Sequence, residues 1–146
     1  MGLTRSPAGT AALNNDEWSM TYAMVPRVVS LARRHTQRFV ERVGWKGDAD
    51  VAVLVVSELV TNALRYARVP GRALTLRLRA QECGGLRVDV SDPLPDFPCF
   101  DGDATRADDE GGRGLPLVRL LSELSWRPDP DGRGKTVRAC LPPSPG

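Results

Sequence analysis

The chain has 146 residues, 41% of them hydrophobic and 26% charged, which suits one globular domain built on a single core. A net charge of +2 gives no basic footprint for direct nucleic-acid binding, and no apolar run reaches the ~18 residues of a membrane span. Cys83, Cys99 and Cys140 are too few and too scattered for a disulfide framework or a zinc site. With no signal-peptide pattern at the N-terminus, the chain reads as cytoplasmic. Eighteen arginines stand against two lysines, Lys46 and Lys135, a bias that looks like GC-rich coding rather than electrostatic design.

Residues 1–16 are small and polar without a period and read as a disordered tail. The domain is expected over residues 17–142, with 143–146 a C-terminal tail. Trp18, Met20 and Tyr22 alternate as in a strand. Pro26 suits the first turn of a helix with Val28, Val29, Leu31, Ala32, Phe39, Val40 and Val43 on its apolar face and Gly44 at its end. His35, the only histidine, has no second ligand at helical spacing and is expected at the surface among arginines.

Asp48 or Asp50 is expected to cap a second helix that stops before Pro70 and Gly71. Leu74, Leu76 and Leu78, then Leu86, Val88 and Val90 after Gly84-Gly85, read as an antiparallel hairpin. From Pro93 to Glu110 no period appears, and a loop of that length is commonly functional. GGRGL opens a helix continuing through Leu117, Val118, Leu121 and Leu124. Strands are expected at 125–127 and 136–141. The order β-α-α-β-β-loop-α-β-β predicts an α+β, two-layer α/β sandwich, its sheet mixed but mostly antiparallel and its helices on one face.

Within the apolar stretch VVSELVTNALRYA, Glu58, Asn62 and Arg65 recur at steps of four and three and share one helical stripe. An Asn amide oxygen can ligate Mg²⁺, a Glu can accept a proton, and an Arg can meet phosphate oxygens; a solvated helix edge has the same pattern. Asp92 closes a strand, where its carboxylate can accept from a base amino group or start an Asp-Pro turn. The glycines of GGRGL can admit an anion to a helix N-terminus or serve as a hinge. Gly134-Lys135-Thr136 is not a Walker loop: Asp129 stands where glycine is needed and a strand follows. A turn into an edge strand, with Thr136 facing a ligand, is expected there.

Taken together, SELVTNALRYA, VSDPLPDFP, GGRGL and GKTVRACLP resemble the Bergerat-fold (GHKL) nucleotide-binding domain of gyrase, MutL, heat-shock chaperone and histidine-kinase ATPases. Within it they are most similar to the single-domain anti-sigma serine kinases and their actinobacterial relatives. The resemblance runs from about Trp18 to Pro142. It implies that Asn62 binds Mg²⁺ on ATP, that Glu58 is the general base, and that Asp92 takes the adenine amino group with Thr136 supporting it. Gly112, Arg113, Gly114 and Leu115 would close over the phosphates, and Arg65 would reach them.

Two departures stand out. Pro93-Leu94-Pro95-Asp96 replaces the family's glycines, and Tyr66 replaces a frequent histidine, making Arg65-Tyr66 more similar to histidine kinases. The implied function is transfer of phosphate to a serine of a STAS-type anti-anti-sigma protein and sequestration of a sigma factor, with a homodimer as the implied assembly. A non-catalytic nucleotide-dependent interaction module and a detached histidine-kinase catalytic domain are the alternatives.

Overall fold

A computed structural model describes residues 16–97 and 114–143. The expected N-terminal tail, apart from Asp16, and the last three residues lie outside them. So do Cys99, most of the long loop, Gly112 and Arg113.

The first strand, β1 (Glu17–Ala23), leads into helix α1 (Val28–Val43). Gly44 ends that helix in the left-handed region at φ 69°, a conformation glycine adopts without a Cβ penalty. Helix α2 (Ala49–Tyr66) is capped by Asp48, whose Oδ1 accepts from the N–H groups of Asp50 at 2.9 Å and Val51 at 3.2 Å. Such a cap is worth about 1 kcal/mol. Strands β2 (Ala73–Ala80) and β3 (Leu86–Asp92) form the hairpin. Helix α3 (Gly114–Leu121) and strands β4 (Glu123–Pro128) and β5 (Lys135–Leu141) complete the order. The α+β sandwich expected from the sequence is therefore the fold.

Every pairing is antiparallel, and the strand order is β1-β2-β3-β5-β4. Here the sequence reading needs correction, because β5 is not an edge. It lies between β3 and β4, since β4 pairs with the side of β5 that β3 leaves open.

Strand periodicity assigns the two faces. Leu74, Leu76 and Leu78, with Leu86, Val88, Val90, Val137 and Ala139, point one way and are all but fully buried. Above them lie Val55, Val56, Leu59 and Val60 of α2, Ala32, Phe39 and Val40 of α1, and Val118 of α3. Each large aliphatic side chain buried there contributes about 1.5–3 kcal/mol. The opposite face carries Arg77, Arg79, Arg87, Asp89, Ser91, Thr136 and Arg138. Asp89 is nonetheless buried, because Arg138 closes over it with two bonds, Nε to Oδ1 at 2.8 Å and Nη2 to Oδ2 at 3.1 Å.

Candidate functional site

The polar edge of α2, the last residue of β3 and the first residue of β5 carry the candidate side chains. Glu58, half-buried on α2, faces the start of α3: a Cβ built on Gly114 would lie 2.5 Å from Glu58 Oε1. Glycine at 114 thus lets the first turn of α3 close onto the carboxylate, which a side chain there would push aside. Asn62, one turn along the stripe, is also half-buried. Arg65 is exposed, lies over the Tyr66 ring at 5.8 Å, and lines a cavity of about 230 Å³ with Met24, Val29, Thr61, Leu64 and Arg68. Arg65 therefore stands on the α1 side of α2. Leu115 packs its side chain into the core beside Val118, so its expected place over a ligand is not held by that side chain.

At the end of the sheet, Asp92 and Lys135 are register partners on the core face. Their side chains are 2% and 4% exposed, and Lys135 Nζ donates to Asp92 Oδ1 at 3.0 Å. The backbone N–H of Leu94 donates to the same oxygen at 3.0 Å. Lys135 Nζ also donates to the Leu94 carbonyl at 3.2 Å and stands 5.0 Å from the Phe97 ring centroid. Phe97 in turn meets the Trp126 ring edge-on. Burial raises the Asp92 carboxyl above its ordinary value, against the pull of the Leu94 N–H and the Lys135 ammonium. Gly134 runs so close to the Asp92 carbonyl that no Cβ would fit.

Thr136 does not support Asp92. It is one residue beyond Lys135 and points to the opposite face, where its hydroxyl meets Ser91 Oγ at 2.8 Å and donates to Asp129 Oδ1 at 3.1 Å. A signal for this exists in the sequence: counting back by twos from the inward Leu141, Ala139 and Val137 puts Lys135 inward and Thr136 outward.

His35 also departs from expectation. Its Nδ1 lies 2.7 Å from Tyr22 Oη, and its ring stacks on Tyr22 and meets Trp18 edge-on. Both partners come from β1, so spacing within the helix could not reveal them. Burial, with Arg38 and Arg34 nearby, lowers the His35 pKa. A cavity of about 300 Å³ lies here, lined by Trp18, Met20, His35, Arg38, Phe39 and Arg42. Although larger than the cavity beside Arg65, it lies at the β1 edge and holds none of the carboxylates or amides that point to chemistry.

The chain matches the histidine kinase-like ATPase domain family over residues 23–141. Among solved structures it is similar to the blue-light activated histidine kinase EL346 of Erythrobacter litoralis, at 30% identity with a TM-score of 0.50, over 67% of this chain and 32% of that one. The histidine kinase domain of the same protein gives 32% identity and a TM-score of 0.49, over 64% of this chain and 44% of that one. The chain thus spans less than half the length of either. The SiaB-SiaC complex from Pseudomonas aeruginosa shares the fold at 18% identity and a TM-score of 0.58, over 84% of this chain and 89% of that chain. No curated protein matches.

Proposed function

This chain belongs to the histidine kinase-like ATPase domain family, and from that premise we propose that it binds ATP with Mg²⁺ and phosphorylates a serine of a protein partner. The observation that carries the reading is Glu58 held against Gly114 at the start of α3, one helical turn before Asn62. These residues fit a magnesium-phosphate group. The metal takes few protein ligands and prefers oxygen, which the Asn62 amide supplies, and the Gly114 backbone leaves the carboxylate uncrowded. When bound, Mg²⁺ neutralises charge on the phosphates.

The chain's own residues do the rest. Asn62 would hold the metal, and Arg65 would reach phosphate from the α1 side. Glu58 accepts the proton of the attacking hydroxyl. Asp92, at the end of β3, accepts from the base amino group. Gly112 and Arg113, ahead of Gly114 in the chain, belong to the same phosphate loop by motif.

The partner in this reading is a STAS-type anti-anti-sigma protein, and the second client a sigma factor. The order of the four motifs supports that branch. Similarity of fold to a complex of two proteins, SiaB with SiaC, agrees with a protein partner. The test is incubation with radiolabelled ATP and candidate serine-bearing partners. Label should appear on the partner, and Glu58→Gln should slow transfer about 10²–10⁴-fold while leaving ATP affinity nearly unchanged. ATP binding without labelling of any genuine binder would sink the kinase reading and leave a nucleotide-dependent interaction module.

A further inference from the structure

The buried ion pair where β3 ends and β5 begins contains one charge more than an adenine-accepting carboxylate needs. We infer that Lys135 is a second base-recognition residue, donating to the ring nitrogen beside the amino group that Asp92 accepts from. The pair then selects a base edge with a donor next to an acceptor, as adenine has. The inference rests on the reading of the Asp92 end as the base pocket.

Three observations carry it. First, donor and acceptor stand side by side on the core face, as register partners 3.0 Å apart. Second, the Leu94 N–H and the Lys135 ammonium both land on Asp92 Oδ1, so neither takes up Oδ2. Third, the ammonium directs two N–H groups at Asp92 Oδ1 and the Leu94 carbonyl, and it carries a third. Among the described residues, one acceptor and one donor are therefore left side by side without a hydrogen-bond partner. Phe97, against the ammonium, is the ring a base would displace.

A rival role for Lys135 is a plug that the nucleotide must expel. Energetics disfavours it. Expelling the ammonium would strand the buried Asp92 carboxylate, a loss larger than one neutral hydrogen bond from a base returns. Lysine rather than arginine also suits the position, because a compact ammonium can serve several acceptors at one point while a guanidinium needs a planar fork.

The test uses calorimetric titration of the full chain and of Lys135→Met with ATP and with a deaza analogue carrying carbon in place of that ring nitrogen. Wild type should bind the analogue about ten- to a hundredfold more weakly than ATP, the range for a hydrogen bond to a charged group. Lys135→Met should bind ATP more weakly by a similar factor and no longer distinguish the two ligands. Tighter ATP binding by Lys135→Met would establish the plug and overturn the inference. An equal penalty for the analogue in both proteins would overturn it as well. Should the variant fail to fold, equal binding of ATP and the analogue by wild type is enough to refute it. Wild type that binds neither ligand would instead remove the nucleotide reading itself.

Discussion

Replacing Lys135 with methionine isolates the cost of a buried carboxylate. The ammonium lies 3.0 Å from Asp92 Oδ1, with side-chain exposures of 4% and 2%. At an effective dielectric constant near 20, two unit charges at that distance attract by about 5 kcal/mol. At Asp92 desolvation outweighs this attraction, which is why the carboxyl pKa is raised rather than lowered. Loss of one partner is different from loss of both: Asp92 keeps only the Leu94 N–H, and stranding such a charge costs about 3–5 kcal/mol.

The sign of the pH dependence follows from the same shift. A carboxyl with a raised folded pKa holds its proton in the folded state when the unfolded chain has released it. Its stabilising contribution is thus fully present below the unfolded value of 3.8 and lost as pH rises through the raised value. Lys135→Met removes two of the influences that lower that pKa, so its deficit should be greatest at neutral pH and shrink on acidification. Urea denaturation of wild type, Lys135→Met and Asp92→Asn/Lys135→Met at neutral and mildly acidic pH measures this. The double variant should come within about 1 kcal/mol of wild type, since paired removal of a buried ion pair is near neutral. A single variant as stable as wild type, or a deficit unchanged by pH, would refute the reasoning.

Gly114→Ala should leave stability within about 1 kcal/mol, because the group it meets is the flexible end of Glu58. Phosphotransfer should nonetheless fall, since the carboxylate must move; unchanged turnover in a single-turnover assay would detach Glu58 from the chemistry. Gly134→Ala meets the Asp92 backbone carbonyl inside the sheet rather than a mobile side chain, so thermal melting should report a loss of about 1–3 kcal/mol. Arg138→Ala leaves the Asp89 carboxylate buried without its two-bond partner and should cost about 1–3 kcal/mol by denaturant titration.

Local patterning carried most of the architecture. The Leu74-Leu76-Leu78 alternation, the Gly44 stop and the Asp48 cap are decided within a few residues, and each is found where the pattern puts it. Strand order was not legible in the same way. That β4 joins the far side of β5 depends on a pairing no local period records, which is why β5 looked like an edge. The buried Asp89 was hidden for a related reason: its place on the outward face is polar by pattern, and the Arg138 that closes over it comes from another strand.

The site was legible in parts. Glu58 and Asn62 share a stripe by spacing alone, and Gly114 meets Glu58 as a glycine opening a helix can. Thr136 was misplaced because a motif outweighed the two-residue period that sends its side chain to the other face. That same period would have turned Lys135 to the core face, although only the β3–β5 register sets it beside Asp92.

The most direct test of the account is a crystal structure with a non-hydrolysable ATP analogue and Mg²⁺. The account predicts the base amino group at Asp92, the metal at the Asn62 amide oxygen and Glu58 facing the terminal phosphate. A nucleotide seated elsewhere, for instance in the cavity between Trp18 and His35, would contradict it.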